Sequence, residues 1–180
     1  IKADEIEYNK TSSILTANKN VEVIDSLKKI TIKADEIEYN QISSTLTANK
    51  NVEVIDSLNE VFVNANKVDY LKNEEKILTQ GKTEINLENK YLISSSDIIF
   101  LKKESQIYSN KNTSLKDDKE NFYTAGSFKY LIKDKLFRGK SIRLINKGKD
   151  EYFFEDGMVD LKTKEIQGKD LEVNFNNTIF

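Results

Sequence analysis

Apolar residues step by two along most of the chain. In ITIKADEIEYN (30–40), Ile30, Ile32 and Ala34 alternate with polar residues, and then Ile37 and Tyr39 alternate in turn. In TLTANKNVEVI (45–55), Leu46 and Ala48 alternate, followed by Val52 and Val54. A period of two predicts half-buried β-strands and argues against helix, which needs steps of three and four. Between Ala34 and Ile37 the step is three. A strand that changes phase needs a bulge or corner, which places one near Asp35–Glu36. Asn49-Lys50-Asn51 forms the matching joint of the other strand, and Gly81, Gly139 and Gly168 stand at the equivalent places further on. Asparagine and glycine tolerate positive φ, so these joints are expected to share a left-handed backbone.

The pattern repeats. Residues 1–27 and 32–58 differ only at Lys10/Gln41, Thr11/Ile42 and Ile14/Thr45, an offset of 31. Residues 63–87 continue at that offset, Ala65 falling on Ala34, Val68 on Ile37 and Tyr70 on Tyr39. A fourth copy places Ile98 and Phe100 on the Ile37 and Tyr39 positions, and FRGKSIRL (137–144) aligns with IQGKDLEV (166–173) at an offset of 29. The units are approximately 1–31, 32–62, 63–92, 93–126, 127–156 and 157–180 within one domain, and the polar stretch 109–121 reads as a loop. With one rung of about 4.8 Å per unit, six units predict a column on the order of 30 Å long. Stacking aligns the apolar stripes into one continuous face.

Composition then narrows the function. The chain of 180 residues is 38% hydrophobic and 32% charged, with a net charge of −2, so no global field draws it to nucleic acid. It has no cysteine, which rules out disulfides and thiolate metal sites, and no histidine, the commonest general base and metal ligand. Ser12-Ser13 and Ser94–Ser96 therefore lack a histidine to activate them, and an enzyme is not expected. The pairs Asp4/Glu5 and Asp35/Glu36 recur with the repeat and read as a solvated corner rather than acid–base or calcium chemistry; no calcium-loop spacing accompanies them. The stretch Lys129–Lys149, with Lys133, Lys135, Arg138, Lys140, Arg143 and Lys147, suits either lipid phosphates or a solvated strand face. No run approaches 18 apolar residues, so no transmembrane helix is expected. The chain opens inside a repeat, as a trimmed N-terminus would.

ADEIEY followed by LTANKNVEV, at 3–23 and again at 34–54, resembles the OstA/LptA-like repeat of lipopolysaccharide transport proteins. The tail, from GKSIRLIN (139–146) through EDGMVDLKTKEIQGKDLEVNF (155–175), is most similar to the N-terminal periplasmic domain of the LPS-assembly protein LptD. The resemblance implies an all-β, open β-jellyroll of stacked strand pairs with an apolar inner groove. It implies a periplasmic bridge at the Gram-negative outer membrane that carries lipid A acyl chains. The implied partners are lipopolysaccharide, other Lpt bridge proteins joined by edge-to-edge strand pairing, and an outer-membrane barrel if the chain continues, none being present in this sequence. No cofactor or metal is implied. The groove lining expected from the stripe is Ile6, Tyr8, Leu15, Val21, Val23, Ile32, Ile37, Tyr39, Leu46, Val52, Val54, Val63, Val68, Tyr70, Ile85, Ile98 and Phe100. A β-solenoid or adhesin-stalk-like repeat protein without lipid conduction is the alternative, with closed, packed turns in place of the groove.

Overall fold

In the computed structural model, residues 1–176 are described; the end of the last repeat, 177–180, lies outside them. The chain is all-β and antiparallel throughout. The long strands come first: β1 (Glu5–Asn9), β2 (Ile14–Asp25), β3 (Ile30–Asn40), β4 (Thr45–Asp56), β5 (Val61–Leu71) and β6 (Lys76–Leu87). Shorter ones follow: β7 (Tyr91–Ser96), β8 (Ile99–Leu101), β9 (Gln106–Ser109), β10 (Thr113–Asp117), β11 (Phe122–Ala125) and β12 (Ser127–Leu131). The chain finishes with β13 (Leu136–Ile145), β14 (Glu151–Asp160), β15 (Ile166–Lys169) and β16 (Glu172–Asn174).

Each long strand is bent at its middle. The β2–β3 register shifts between Asn18 and Val21, β3–β4 between Lys33 and Glu36, and β4–β5 between Asn49 and Val52. These bulges sit where the apolar pattern changes phase, because a side chain can stay on the inner face past a corner only if one residue is added. Lys19 and Asn20, then Lys50 and Asn51, take positive φ there, as does Gly81 at φ 74.

The bends fold one sheet into two layers. The first layer runs β1, β2 (14–18), β3 (36–40), β4 (45–49), β5 (67–71), β6 (76–80), β8, β9, β12, β13 (136–140), β14 (156–160) and β15. The second runs β2 (21–25), β3 (30–34), β4 (52–56), β5 (61–65), β6 (82–87), β7, β10, β11, β13 (142–145), β14 (151–154) and β16. The bulges form a crease where the layers meet, and hairpin turns line both lips of the opposite side. The inner faces share one apolar cluster, from Ala17 at one end to Leu161 at the other. This is a jellyroll-like roll whose two lips, among the described residues, are not joined by strand pairing.

Three expectations change. Each strand, not each unit, is a rung of a layer, so twelve stacked strands at about 4.8 Å give a roll of roughly 50 Å rather than 30 Å. The stretch expected as a loop, 109–121, contains β10 and pairs on both sides, with β7 and β11. Its alternating Thr113, Leu115 and Asp117 are all buried, and two of the three are polar, which hid the strand. Gly139 and Gly168 do not take positive φ; the left-handed residues lie two further on, at Ser141 and Asp170. These glycines serve close packing instead. A Cβ on Gly139 would stand 2.8 Å from the Ser127 carbonyl oxygen, and one on Gly168 would stand 2.3 Å from Phe154 Cδ1.

Candidate functional site

The expected groove residues divide by place. Val21, Ile32, Ile37, Val52, Val54, Val63, Val68, Ile85, Ile98 and Phe100 face inward and are no more than 2% exposed. Leu46 and Tyr70 are also buried. Leu15, Val23 and Tyr39 are partly buried against the same cluster. Ile6 and Tyr8, on the edge strand β1, stand 52% and 44% exposed because no further strand covers them. Along the middle rungs the two layers are in contact and the interior is sealed. Toward the N-terminal end they part.

There a cavity of about 190 Å³ lies between the layers, beneath the seam. The second layer contributes Val23, Ile30 and Ile32, and the first layer Tyr39, Leu46 and Tyr70, with Ile1 and Ile24 at the rim. Two charged groups complete the lining: Asp25 from the second-layer lip and Lys72 from the first-layer lip. The Tyr70 hydroxyl and Asp25 Oδ2 are near neighbours, and neither makes a hydrogen bond of full geometry. Burial, reinforced by the negative charge of Asp25 and Glu75, holds the Tyr70 hydroxyl well above the usual tyrosine range. It stays a neutral donor throughout the physiological range.

The seam above the interior is closed by side chains reaching from lip to lip. Lys72 Nζ is 3.6 Å from Asp25 Oδ2, and Lys28 pairs with Glu75. Lys102 Nζ is 2.6 Å from Asp56 Oδ2, with both side chains buried. Lys135 Nζ is 2.8 Å from Glu88 Oε2. Farther along, the Tyr91 hydroxyl donates to the Leu161 carbonyl at 3.2 Å, and Lys164 Nζ donates to the Tyr91 hydroxyl at 2.7 Å. Strand register makes the Asp25–Lys72 and Asp56–Lys102 contacts equivalent on successive rungs. Glu75 and Lys135 hold equivalent turn positions on the first-layer lip, and each pairs with a residue of opposite charge from the other lip.

Sequence reasoning missed this seam. Its partners stand 46 or 47 residues apart in the chain, and each alone looks like an ordinary charged turn residue. It also missed a polar patch along the crease of the middle rungs. Thr83 Oγ1 donates to Thr79 Oγ1 at 2.7 Å, and Thr79 Oγ1 accepts the Ile98 N–H at 2.9 Å. Ser95 and Thr113 hydroxyls lie 2.8 Å apart. These hydroxyls satisfy groups that the corner removes from the strand ladder.

The repeated carboxylates sit on the exposed crease. Asp35 Oδ2 accepts from Asn51 Nδ2 at 2.8 Å, Glu36 pairs with Lys50 at 2.7 Å, and Asp4 and Glu5 repeat both contacts with Asn20 and Lys19. Each carboxylate ties the positive-φ residues of one strand to the bend of its neighbour. The basic stretch divides: Arg143 pairs with Glu151 at 2.7 Å and Lys147 with Glu120 at 3.3 Å, while Lys129, Arg138 and Lys140 lie exposed on the outer face of the first layer.

No protein-family model matches the chain, and no curated protein matches it in sequence. Among solved structures it is similar to LptH, the LptA homologous periplasmic component of the lipopolysaccharide transport device from Pseudomonas aeruginosa. The likeness covers 85% of this chain and 99% of that one, at 10% identity and a TM-score of 0.35. A likeness at that level defines neither fold nor activity; the all-β assignment rests on the strand pairing itself.

Proposed function

We propose that the chain is a periplasmic, non-enzymatic carrier of amphiphilic lipid in lipopolysaccharide export, holding acyl chains between its two layers. The observation that carries this reading is the apolar cavity beneath the seam, whose buried lining belongs to the one apolar cluster that runs the length of the roll. The repeat signature ADEIEY…LTANKNVEV supports it independently. Burying each CH₂ is worth about 0.8 kcal/mol, so acyl chains can be held by undirected contacts. Near-equivalent rungs offer sites of similar free energy, which permits sliding rather than trapping.

Lipopolysaccharide is the proposed cargo, and the LptD-type periplasmic domain the proposed specialisation. Edge strands suit joining to other bridge proteins or to a membrane barrel: among the described residues β1 pairs on one side only, with β2, which suits its other edge to strand addition. The sealed middle rungs favour a second reading, a structural stalk in which the interior is only a core.

Photo-crosslinking separates the two. A crosslinker at Tyr39, which lines the cavity, is expected to capture lipopolysaccharide first, and at Ile37 and Val54 when lipid is moving through. Crosslinkers at the outward Glu38 and Glu53 are expected to stay blank. Equal labelling of inner and outer positions, or none in the presence of lipid, selects the stalk.

A further inference from the structure

The N-terminal end of the seam carries both a short contact, Lys28–Glu75, and the longest one, Asp25–Lys72. Asp56–Lys102 and Glu88–Lys135 close at 2.6 and 2.8 Å, whereas Asp25–Lys72 spans 3.6 Å. This loosest contact lies directly over the cavity, and both its residues line it. Asp25 is 8% exposed at its side chain, and its Oδ2 makes no hydrogen bond of full geometry. Tyr70, 3% exposed, lines the same space with its hydroxyl beside Asp25. Lys72 itself is about half exposed, so its ammonium reaches both the cavity mouth and solvent. The cavity thus offers an apolar pocket for a chain, one weakly engaged cation at the mouth and, inside, a hydroxyl beside Asp25.

We infer that the Asp25–Lys72 contact is the exchangeable closure of the seam, and that Lys72 is the subsite for the phosphate headgroup of an amphiphile whose acyl chain fills the cavity. This rests on the lipid-carrier reading and names the headgroup chemistry for it. Binding replaces a long carboxylate contact with a charge-assisted hydrogen bond to phosphate, while Lys28–Glu75 beside it and the pairs farther along keep the seam shut. Lys72 bonded to phosphate no longer bridges to Asp25, so occupancy and release of that one seam contact are one event.

The test uses the full chain and displacement of a neutral naphthylamine dye from the cavity. Three lipids serve as probes: lipid A with both phosphates, the same lipid A stripped of them, and phosphatidylglycerol. Lys72→Gln is expected to weaken phosphorylated lipid by about tenfold, the cost of losing one hydrogen bond to a charged group, and to leave dephosphorylated lipid A unchanged. Lys72→Arg is expected to retain binding, and Lys33→Gln, on the outer face, to change nothing. A loss confined to lipid A assigns the subsite to that lipid; a loss shared with phosphatidylglycerol assigns it to phosphorylated lipids in general. An equal loss for phosphorylated and stripped lipid, or an effect no larger than that of Lys33→Gln, overturns the inference alone. Failure of the unmodified chain to bind any of the three lipids overturns the carrier reading with it.

Discussion

Lys102 Nζ lies 2.6 Å from Asp56 Oδ2, 46 residues away in sequence, and neither side chain is more than 6% exposed. The pair fastens a first-layer turn to a second-layer turn at the middle of the seam. Asp56 is not held by Lys102 alone: Oδ1 accepts the Leu58 and Asn59 N–H groups, and Oδ2 accepts Asn59 Nδ2 at 2.6 Å. Lys102→Met therefore leaves a carboxylate that still has donors, whereas Asp56→Leu leaves a buried ammonium with none. Asp56→Leu is expected to cost about 3–5 kcal/mol, the range for breaking a buried pair from one side, and Lys102→Met less. The double variant is expected to recover much of the loss. Urea unfolding of the four proteins checks this; a double variant as unstable as the sum of the singles would show that the two residues do not act as a pair.

The two kinds of joint predict opposite responses to similar substitutions. Lys50 holds φ 62 on an exposed corner, and its bond to Glu36 is fully solvated. Lys50→Gly removes a left-handed strain of about 1–2 kcal/mol and adds back a chain-entropy cost of about 0.5–1 kcal/mol, so a gain of up to roughly 1 kcal/mol is expected. Gly168→Ala must drive a methyl into Phe154 and is expected to destabilise. Thermal unfolding that ranked the alanine variant above the glycine variant would contradict this assignment of roles.

Alkaline pH should find the buried tyrosines. Burial raises the hydroxyl pKa of Tyr70, Tyr123 and Tyr130, with further contributions from Asp25, Asp117 and Glu88 respectively. A group whose folded pKa lies above its unfolded value stabilises the fold fully below the unfolded value, about 10 for tyrosine, and loses that contribution as pH rises toward the folded value. Stability is thus expected to fall from about pH 10 upward. The last phenolates, followed by ultraviolet absorbance, are expected to appear only with loss of the β circular-dichroism signal. Full phenolate absorbance in a still-folded chain would be the contrary result. Tyr70→Phe removes a hydroxyl that makes no hydrogen bond of full geometry and is expected to change stability little.

Much of the fold is legible in the sequence because local physics dictates it. The three-residue step from Ala34 to Ile37 marks a bulge, since no other device keeps both residues on the inner face. Lys50 and Asn51 mark its left-handed partner. The turns are legible too: Asn9 and Asn40 each accept two backbone N–H groups two and three residues on, which is how asparagine closes a turn. What is not legible depends on partners distant in the chain. Gly139 and Gly81 look alike in sequence, yet one is required by a neighbouring carbonyl and the other by its own φ. The apolar stripe predicts which side chains face inward. It does not predict the contacts that close the seam, such as Asp25 with Lys72, because these join residues 47 apart in the chain. Nor does alternation reveal that each strand is its own rung.

The duplication at the start permits a test of register over the whole roll. Removing 32–62 joins Thr31 to Val63, and the fused strand keeps inner residues inner because Val63 occupies the place of Ile32. The seam should reclose as well. Asp25 holds in its unit the position that Asp56 holds in the next, and the deletion brings it to 46 residues from Lys102, the separation Asp56 has now. The shortened chain is expected to fold cooperatively, with Asp25 bonded to Lys102. Asp25→Leu should then become as damaging as Asp56→Leu is in the full chain. Removing 32–61 instead shifts the pattern by one residue, turning the inner face of the fused strand outward, and is expected to abolish folding of the first rungs. Circular dichroism and urea unfolding of the two deletions check this, and equal stability would show that strand phase does not hold the layers together.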